Sequence, residues 1–268
     1  MEFNYSLPAD AANKKLYYDG DRLYMDINLG TVTYYNNRGA KEEYECNKIE
    51  FHFPAEHYIT IDGQTPRYAL ELQIFHTLKK TDNLLITNQI MKVNKSVVSI
   101  LFTIGDLEEG DILLNQLGIS KYNTNDHGAF NIPPANNFVK RKKIIPATFG
   151  VGFNYLAYQG LLNLINADRK MFFYYGSETT PPCRENVLWM IFAEPRSFSK
   201  PQFDYLLLLL AKHKFQHKNL LDARTPNMLF GNKRALVLYD ETVRNKVMMN
   251  FNGLKSVSQK PFFKKISD

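Results

Sequence analysis

Cysteine is scarce in this chain, with Cys46 and Cys183 the two in 268 residues. At most one disulfide can form, and spacing does not decide whether it does. Long apolar runs are scarce too. The longest, at 206–211, falls far short of the roughly 20 residues needed to cross a bilayer, so it reads as part of a buried helix. Residues 1–20 are polar and lack the apolar centre of a secretory leader. No segment repeats. Charge of one sign is not concentrated either: 33 Lys and Arg stand against 27 Asp and Glu, a net +6 and a pI of about 9.1. That excess suits an acidic partner, but it is too small and scattered to point to nucleic acid. Its densest cluster, Lys140-Arg141-Lys142-Lys143, reads as a solvated loop.

What the chain does have is apolar and aromatic material: 44% hydrophobic residues, with 16 Tyr and 19 Phe. That is enough for a substantial core, and the aromatics favour extended structure over helical bundles. Period-two alternation predicts strands at 22–29, with Leu23, Met25 and Ile27 on one face, and at 48–53, with Ile49, Phe51 and Phe53 opposite Lys48, Glu50 and His52. Pro54 ends that ladder. A longer strand is expected at 67–78, with Glu71, Gln73 and Phe75 on one face and Leu72, Ile74 and His76 on the other. The run 96–104 is nearly all apolar or β-branched, the mark of a strand buried on both faces. Segments 171–175, 187–192 and 234–239 are further strands. Between them 106–160 is the least regular part, with one short helix expected at 111–117. Ser199 with Pro201 predicts a helix start, running to 212. His213 and His217 stand at i, i+4 but are ringed by lysines and read as a solvated helix end.

Two segments carry a resemblance. The first is Lys48-Ile49-Glu50-Phe51-His52-Phe53-Pro54-Ala55-Glu56-His57, continued by Ile61-Asp62-Gly63 and by Ala69-Leu70-Glu71-Leu72-Gln73-Ile74-Phe75-His76. The second is Tyr175-Gly176-Ser177-Glu178-Thr179-Thr180-Pro181-Pro182-Cys183, followed by Arg184-Glu185-Asn186-Val187-Leu188-Trp189. They resemble the patterns QFHFHxPSEHxxDG…ELHLVH and YxGSLTTPPCxExVxW of the α-class carbonic anhydrases. Thr-Thr-Pro-Pro-Cys at that distance from a strand Trp is rarely accidental, and Trp189 is the chain's one tryptophan. The family's N-terminal stretch, with its QSPI sequence, has no counterpart, so the chain is expected to begin after it. The resemblance implies a mainly β fold with peripheral helices, built on a large, twisted, mostly antiparallel central sheet. The expected organisation is one domain at 1–240 with a basic tail at 241–268.

It also implies a site. In that family three neutral imidazoles hold zinc, two from an H-x-H on one strand and one from its neighbour. The metal lowers the pKa of a bound water to about 7, and the family is itself the reference case for this chemistry. The equivalent positions here are Glu50, His52 and Gln73. An amide oxygen is a poor zinc ligand, and an anionic carboxylate weakens the metal as a Lewis acid. The expectation is therefore that no zinc is held and that Glu50 and Glu71 gather with Glu178 around His52 in a hydrogen-bonded cluster. Glu178 replaces the apolar residue that lines the family's CO2 pocket. Glu56 and Thr179 match the family's gate, in which a Thr hydroxyl donates to a buried Glu, and Thr180 matches a second pocket hydroxyl. Glu71 matches the carboxylate behind the third ligand. The resemblance thus implies a protein with a degenerate zinc site, a non-catalytic binding or scaffold subunit. Its protein partners would be met through 110–170 and the basic tail, without nucleic acid or a membrane span. The alternative is an active carbonate dehydratase with an altered zinc site. Two free thiols, with an intracellular or organellar setting, complete the expectation.

Overall fold

The alternating segments resolve into strands of a single curled sheet. In the computed structural model, residues 1–18, 23–35, 41–57, 68–79, 93–105, 111–117, 147–149, 152–167, 170–179, 182–204 and 237–239 are described. Among them the strands are β1 (Glu2–Tyr5), β2 (Leu16–Tyr18), β3 (Leu23–Asp26), β4 (Gly30–Tyr35), β5 (Lys41–His52), β6 (Leu70–Leu78), β7 (Lys95–Ile104), β8 (Ala147–Phe149), β9 (Met171–Gly176), β10 (Val187–Phe192), β11 (Arg196–Phe198) and β12 (Val237–Tyr239). The path runs β12-β9-β10-β7-β6-β5-β3-β2-β8, with β4 also on β5, β1 on β4 and β11 on β7. Pairings are antiparallel except those of β10 and β11 with β7, which are parallel.

Both faces of the central strands are covered. The larger apolar cluster takes Leu23, Met25, Ile49, Phe51, Leu72, Ile74, Val98 and Ile100 from one face. The smaller takes Val97, Leu101, Phe172, Tyr174, Trp189 and Ile191 from the other. That is why β7 is sheltered along nearly its whole length and reads as an unbroken apolar run.

One irregularity decides what the smaller face carries. In the β5–β6 ladder Cys46 lies opposite His76 and Lys48 opposite Phe75, so Asn47 is an extra residue, a β-bulge. Before it Tyr44 and Cys46 join the larger cluster, and after it Ile49 and Phe51 do. The bulge reverses the alternation and turns Lys48, Glu50 and His52 to the smaller face. Asn47 is held there by its Nδ2, which donates to Thr77 Oγ1 at 2.7 Å, and by its carbonyl, which accepts from Ile27 N–H at 3.1 Å.

Two helices are described in full, α1 (Asp111–Gln116) and α2 (Tyr155–Asn166). The first matches its expected place. The second corrects the expectation of irregular chain through 106–160. Asn154 caps it, accepting from Ala157 N–H at 2.8 Å, and it buries Ala157, Tyr158, Leu161, Leu164 and Ile165 along one stripe. Arg196 closes the far end, donating from Nε and Nη2 to Leu164 O at 3.2 and 3.1 Å. Residues 200–204 are helical directly after Ser199. The remainder of that expected helix, the loop 122–138, the Lys140–Lys143 cluster, His213, His217 and the tail 241–268 lie outside the described residues.

Candidate functional site

Residues facing each other across β5, β6 and β7 share a face, which follows from the pleat. Glu50 lies opposite Gln73 and Gln73 opposite Ser99, while His52 lies opposite Glu71. The loop after β5 brings Glu56 and His57 back over this row. All of these side chains are buried, with Glu50, Glu71 and Gln73 at 0% exposure.

Glu71 is the most heavily bonded carboxylate. Its Oε1 accepts from His57 Nδ1 at 2.6 Å, Ser99 Oγ at 2.6 Å and Gln73 Nε2 at 2.9 Å. Its Oε2 accepts from the backbone N–H groups of Glu56 and His57, both at 2.8 Å. Burial works to raise its pKa. The charge and hydrogen bond of His57, the Ser99 hydroxyl and the His52 charge prevail and hold it down to about 2. Behind it the Tyr174 hydroxyl lies 2.6 Å from His57 Nε2, and the His57 ring lies 4.6 Å from the Trp189 ring.

His52 sits between two other carboxylates. Its Nε2 is 3.2 Å from Glu50 Oε2, and its Nδ1 is 3.2 Å from Glu56 Oε1. Burial would lower its pKa, but the Glu56 charge and hydrogen bonds to Glu50 and Glu56 push it up to about 10. The ring is therefore an imidazolium at neutral pH, hydrogen-bonded from Nε2 to Glu50 and ion-paired from Nδ1 to Glu56. Glu50 also forms an ion pair with Lys48, whose ammonium lies 4.6 Å from the centre of the Phe75 ring. Gln73 Nε2 donates to Glu56 Oε2 at 3.1 Å as well as to Glu71. Its Oε1 is buried without a hydrogen-bond partner.

Of the residues singled out in the sequence, five come together here: Glu50, His52, Glu56, Glu71 and Gln73. Glu178 does not join them. Its Oε1 accepts from Lys95 Nζ at 2.7 Å, at the opposite end of β7 from the row that faces His52. The carboxylate turns to the nearest cation and keeps partial solvent contact, which costs less than burial among other anions. Thr179 is half-buried, and it forms no hydrogen bond with Glu56 among the described residues; Glu56 is turned instead to His52 and Gln73. Thr180 lies outside the described residues. Cys46 and Cys183 are free thiols, and burial pushes Cys46 up to about 11.

Lys48, His57, Ser99 and Lys95 had no role assigned from sequence. The Lys48–Glu50 pair was open to reading, since i and i+2 on a strand share a face. Ser99 needed the register.

The model of the eukaryotic-type carbonic anhydrase family matches residues 2–237. Alpha carbonic anhydrase 7 of Arabidopsis thaliana is 28% identical over 197 residues, covering 74% of this chain and 54% of its own length. A carbonic anhydrase of Dunaliella salina is 30% identical over 173 residues, 59% of this chain and 23% of its own. The chain thus spans about half the length of the first of these relatives, and less of the second. Among solved structures, a halotolerant carbonic anhydrase from Dunaliella salina aligns with a TM-score of 0.54 at 21% identity, over 87% of this chain and 75% of its own, a likeness of fold. Dioscorin complexed with ascorbate aligns with a TM-score of 0.51 at 26% identity, over 85% and 74%.

Proposed function

This chain belongs to the eukaryotic-type carbonic anhydrase family, and from that premise we propose that it is a member with a degenerate zinc site, serving as a non-catalytic binding or scaffold subunit. The family's zinc chemistry needs three neutral donors with free lone pairs and one open position for water. The donor set here does not fit it. An imidazolium has no lone pair to give, and His52 spends both ring nitrogens on Glu50 and Glu56. Gln73 commits its amide nitrogen to two carboxylates and leaves only a neutral carbonyl oxygen. Glu50 is already neutralised by Lys48 and His52.

The observation that carries the reading is the pair of 3.2 Å contacts on His52. With Lys48, they set two protein cations against Glu50 and Glu56, so these two carboxylates are neutralised by side chains of the chain itself. Catalysis with an altered metal site would have Glu56 accept from Thr179, as in the family's gate, and the Glu56 oxygens are turned elsewhere. What remains for the chain is a stable sheet that presents surfaces, and we assign the contacts to 110–170 and the basic tail.

The test is metal analysis of the purified protein beside a CO2 hydration assay. The expected result is substoichiometric zinc and background hydration, with the E50H/Q73H variant gaining zinc affinity by at least about tenfold. Stoichiometric zinc with hydration well above background in the parent chain would refute the reading.

No helix among the described residues is long and apolar enough to cross a membrane.

A further inference from the structure

We propose that strand β1 is an acid-released strap: it covers His76 on the larger face of the sheet, and protonation of that ring detaches it while the strands beneath stay folded. This goes beyond the non-catalytic reading and does not depend on it.

The inner side chains of β1 reach strands that are not its partners. Among the described residues β1 pairs with β4 alone, from Glu2 opposite Thr33 to Tyr5 opposite Gly30. Its exposure alternates, with Glu2 and Asn4 outward and Phe3 and Tyr5 inward. The Phe3 ring stacks on Phe192 of β10 with centres 6.4 Å apart, and the Tyr5 ring stacks on His76 of β6 at 5.9 Å. Both inner rings pack against the larger cluster, so β1 lies over that face as a cover.

Tyr5 is where the strap is fastened. Its hydroxyl meets His76 Nε2 at 2.6 Å, and its carbonyl accepts from the Tyr158 hydroxyl of α2 at 2.9 Å. The next residue, Ser6, donates its N–H to Leu29 O at 2.7 Å. Gly30 allows this close approach: its φ is +114°, and a Cβ there would run into the Asn4 carbonyl.

The fastening works only with a neutral ring. His76 Nδ1 lies 3.3 Å from Ser96 O, and a carbonyl only accepts, so this nitrogen carries the proton. Nε2 is then bare and accepts from the Tyr5 hydroxyl. A second proton on the ring would set a donor against that donor and bury a cation. Nothing nearby answers such a charge. Tyr5 faces the ring from β1, and Cys46 and Ser96 lie opposite it in register on β5 and β7. Burial keeps the Tyr5 phenol and the Cys46 thiol neutral, the thiol pushed up to about 11, and Ser96 brings only a hydroxyl. No carboxylate among the described residues bonds His76. Burial accordingly lowers the ring to about 3.

The smallest opening that admits water relieves the charge. Strands β5, β6 and β7 each have partners on both sides, whereas β1 is four residues on one neighbour. Lifting β1 hydrates His76 and returns it towards its ordinary 6.5, so opening gains about tenfold for each pH unit below that value. Because Tyr5 also holds Tyr158, release loosens α2, which lies in the 110–170 region assigned above to partner contacts. Only that consequence rests on the reading above.

Hydrogen exchange of the full chain, resolved to short segments and expressed as protection factors, tests the proposal from about pH 7 to about pH 4. Protection of residues 2–6 is expected to fall about tenfold per pH unit below 6.5. It should vanish while β5, β6 and β7 remain protected and far-UV circular dichroism is unchanged. In H76Q the amide keeps a donor for Ser96 and an acceptor for Tyr5 but takes up no proton, so strap protection should be flat over the same range. Y5F leaves the ring titratable and removes one bond, which tests the fastening even where H76Q does not fold. Its strap should be about fivefold less protected at about pH 7, with the acid fall retained. Residues 2–6 that stay protected until the whole sheet unfolds would overturn the proposal. An undiminished acid fall in H76Q, or parental protection in Y5F, would overturn it too. Zinc content and CO2 hydration enter none of these outcomes, so failure here is distinct from failure of the non-catalytic reading.

Discussion

The two faces of the central sheet each bury a histidine, and the two rings behave in opposite ways. His52, 6% exposed, lies on the smaller face between Glu50 and Glu56 and is pushed up to about 10. His76, 1% exposed, lies on the larger face, where it donates from Nδ1 to Ser96 O at 3.3 Å and accepts at Nε2 from the Tyr5 hydroxyl at 2.6 Å. Burial lowers it to about 3. Depth is nearly the same, so depth does not set the charge. Desolvation drives both rings towards neutrality, and only the carboxylates reverse it for His52. One face of this sheet is an ordinary core. The other holds a closed ionic cluster inside apolar walls.

The hardest way to break the comparison is to erase what separates the faces. Deleting Asn47 removes the bulge and forces one side of β5 to rotate, sending either Lys48, Glu50 and His52 or the Tyr44–Cys46 side to the wrong face. Buried unpaired charges cost several kcal/mol each, against a total stability of about 5–15 kcal/mol for a typical domain. The expected outcome is an unfolded chain by circular dichroism, and a variant with parental thermal stability would contradict the role given to Asn47.

A milder break is E71Q. It places an amide donor where five donors converge. We expect a loss of about 3–5 kcal/mol, read by urea unfolding. A loss below about 1 kcal/mol would mean that the network is looser than its distances imply.

The smallest effect is the pH profile. His52 has a folded pKa above its ordinary 6.5, so its contribution is complete below that value and is lost as pH rises through about 10. His76 has a folded pKa below 6.5, so keeping it neutral costs stability progressively as pH falls from 6.5 towards about 3. Glu71 adds a contribution present above its ordinary 4.5 and lost as pH falls through about 2. Stability should therefore peak near 6.5 and decline on both sides. H52Q should flatten the alkaline limb and H76Q the first part of the acid limb, each measured by urea unfolding from pH 5 to 10. A profile that keeps both limbs in both variants would assign the titration to other groups.

Much of the fold was legible because local pattern and burial agree along it. The Leu23–Asp26 alternation, the apolar run that became β7 and the paired faces of β6 were readable one residue at a time. The strand β5 was half-read, from Lys48 onward, because the bulge reverses its alternation in the middle. Helix α2 was missed although Asn154 stands at its cap and Ala157, Leu161, Leu164 and Ile165 recur at helical spacing; Gly160 is what interrupts that pattern. Glu178 was placed by its neighbours in sequence, whereas its position in space was decided by Lys95, 83 residues away.

By itself, then, the sequence determined the family, the sheet's main strands and the replacement of two of three imidazoles, since these are matters of residue type and period. Tertiary structure alone decided that His52 is caught between two carboxylates, that Lys48 balances Glu50 while the Gln73 amide donates to Glu56, and that Glu178 turns away. Charge state in a buried cluster depends on which groups the register brings within about 3 Å, and a linear pattern does not contain those distances.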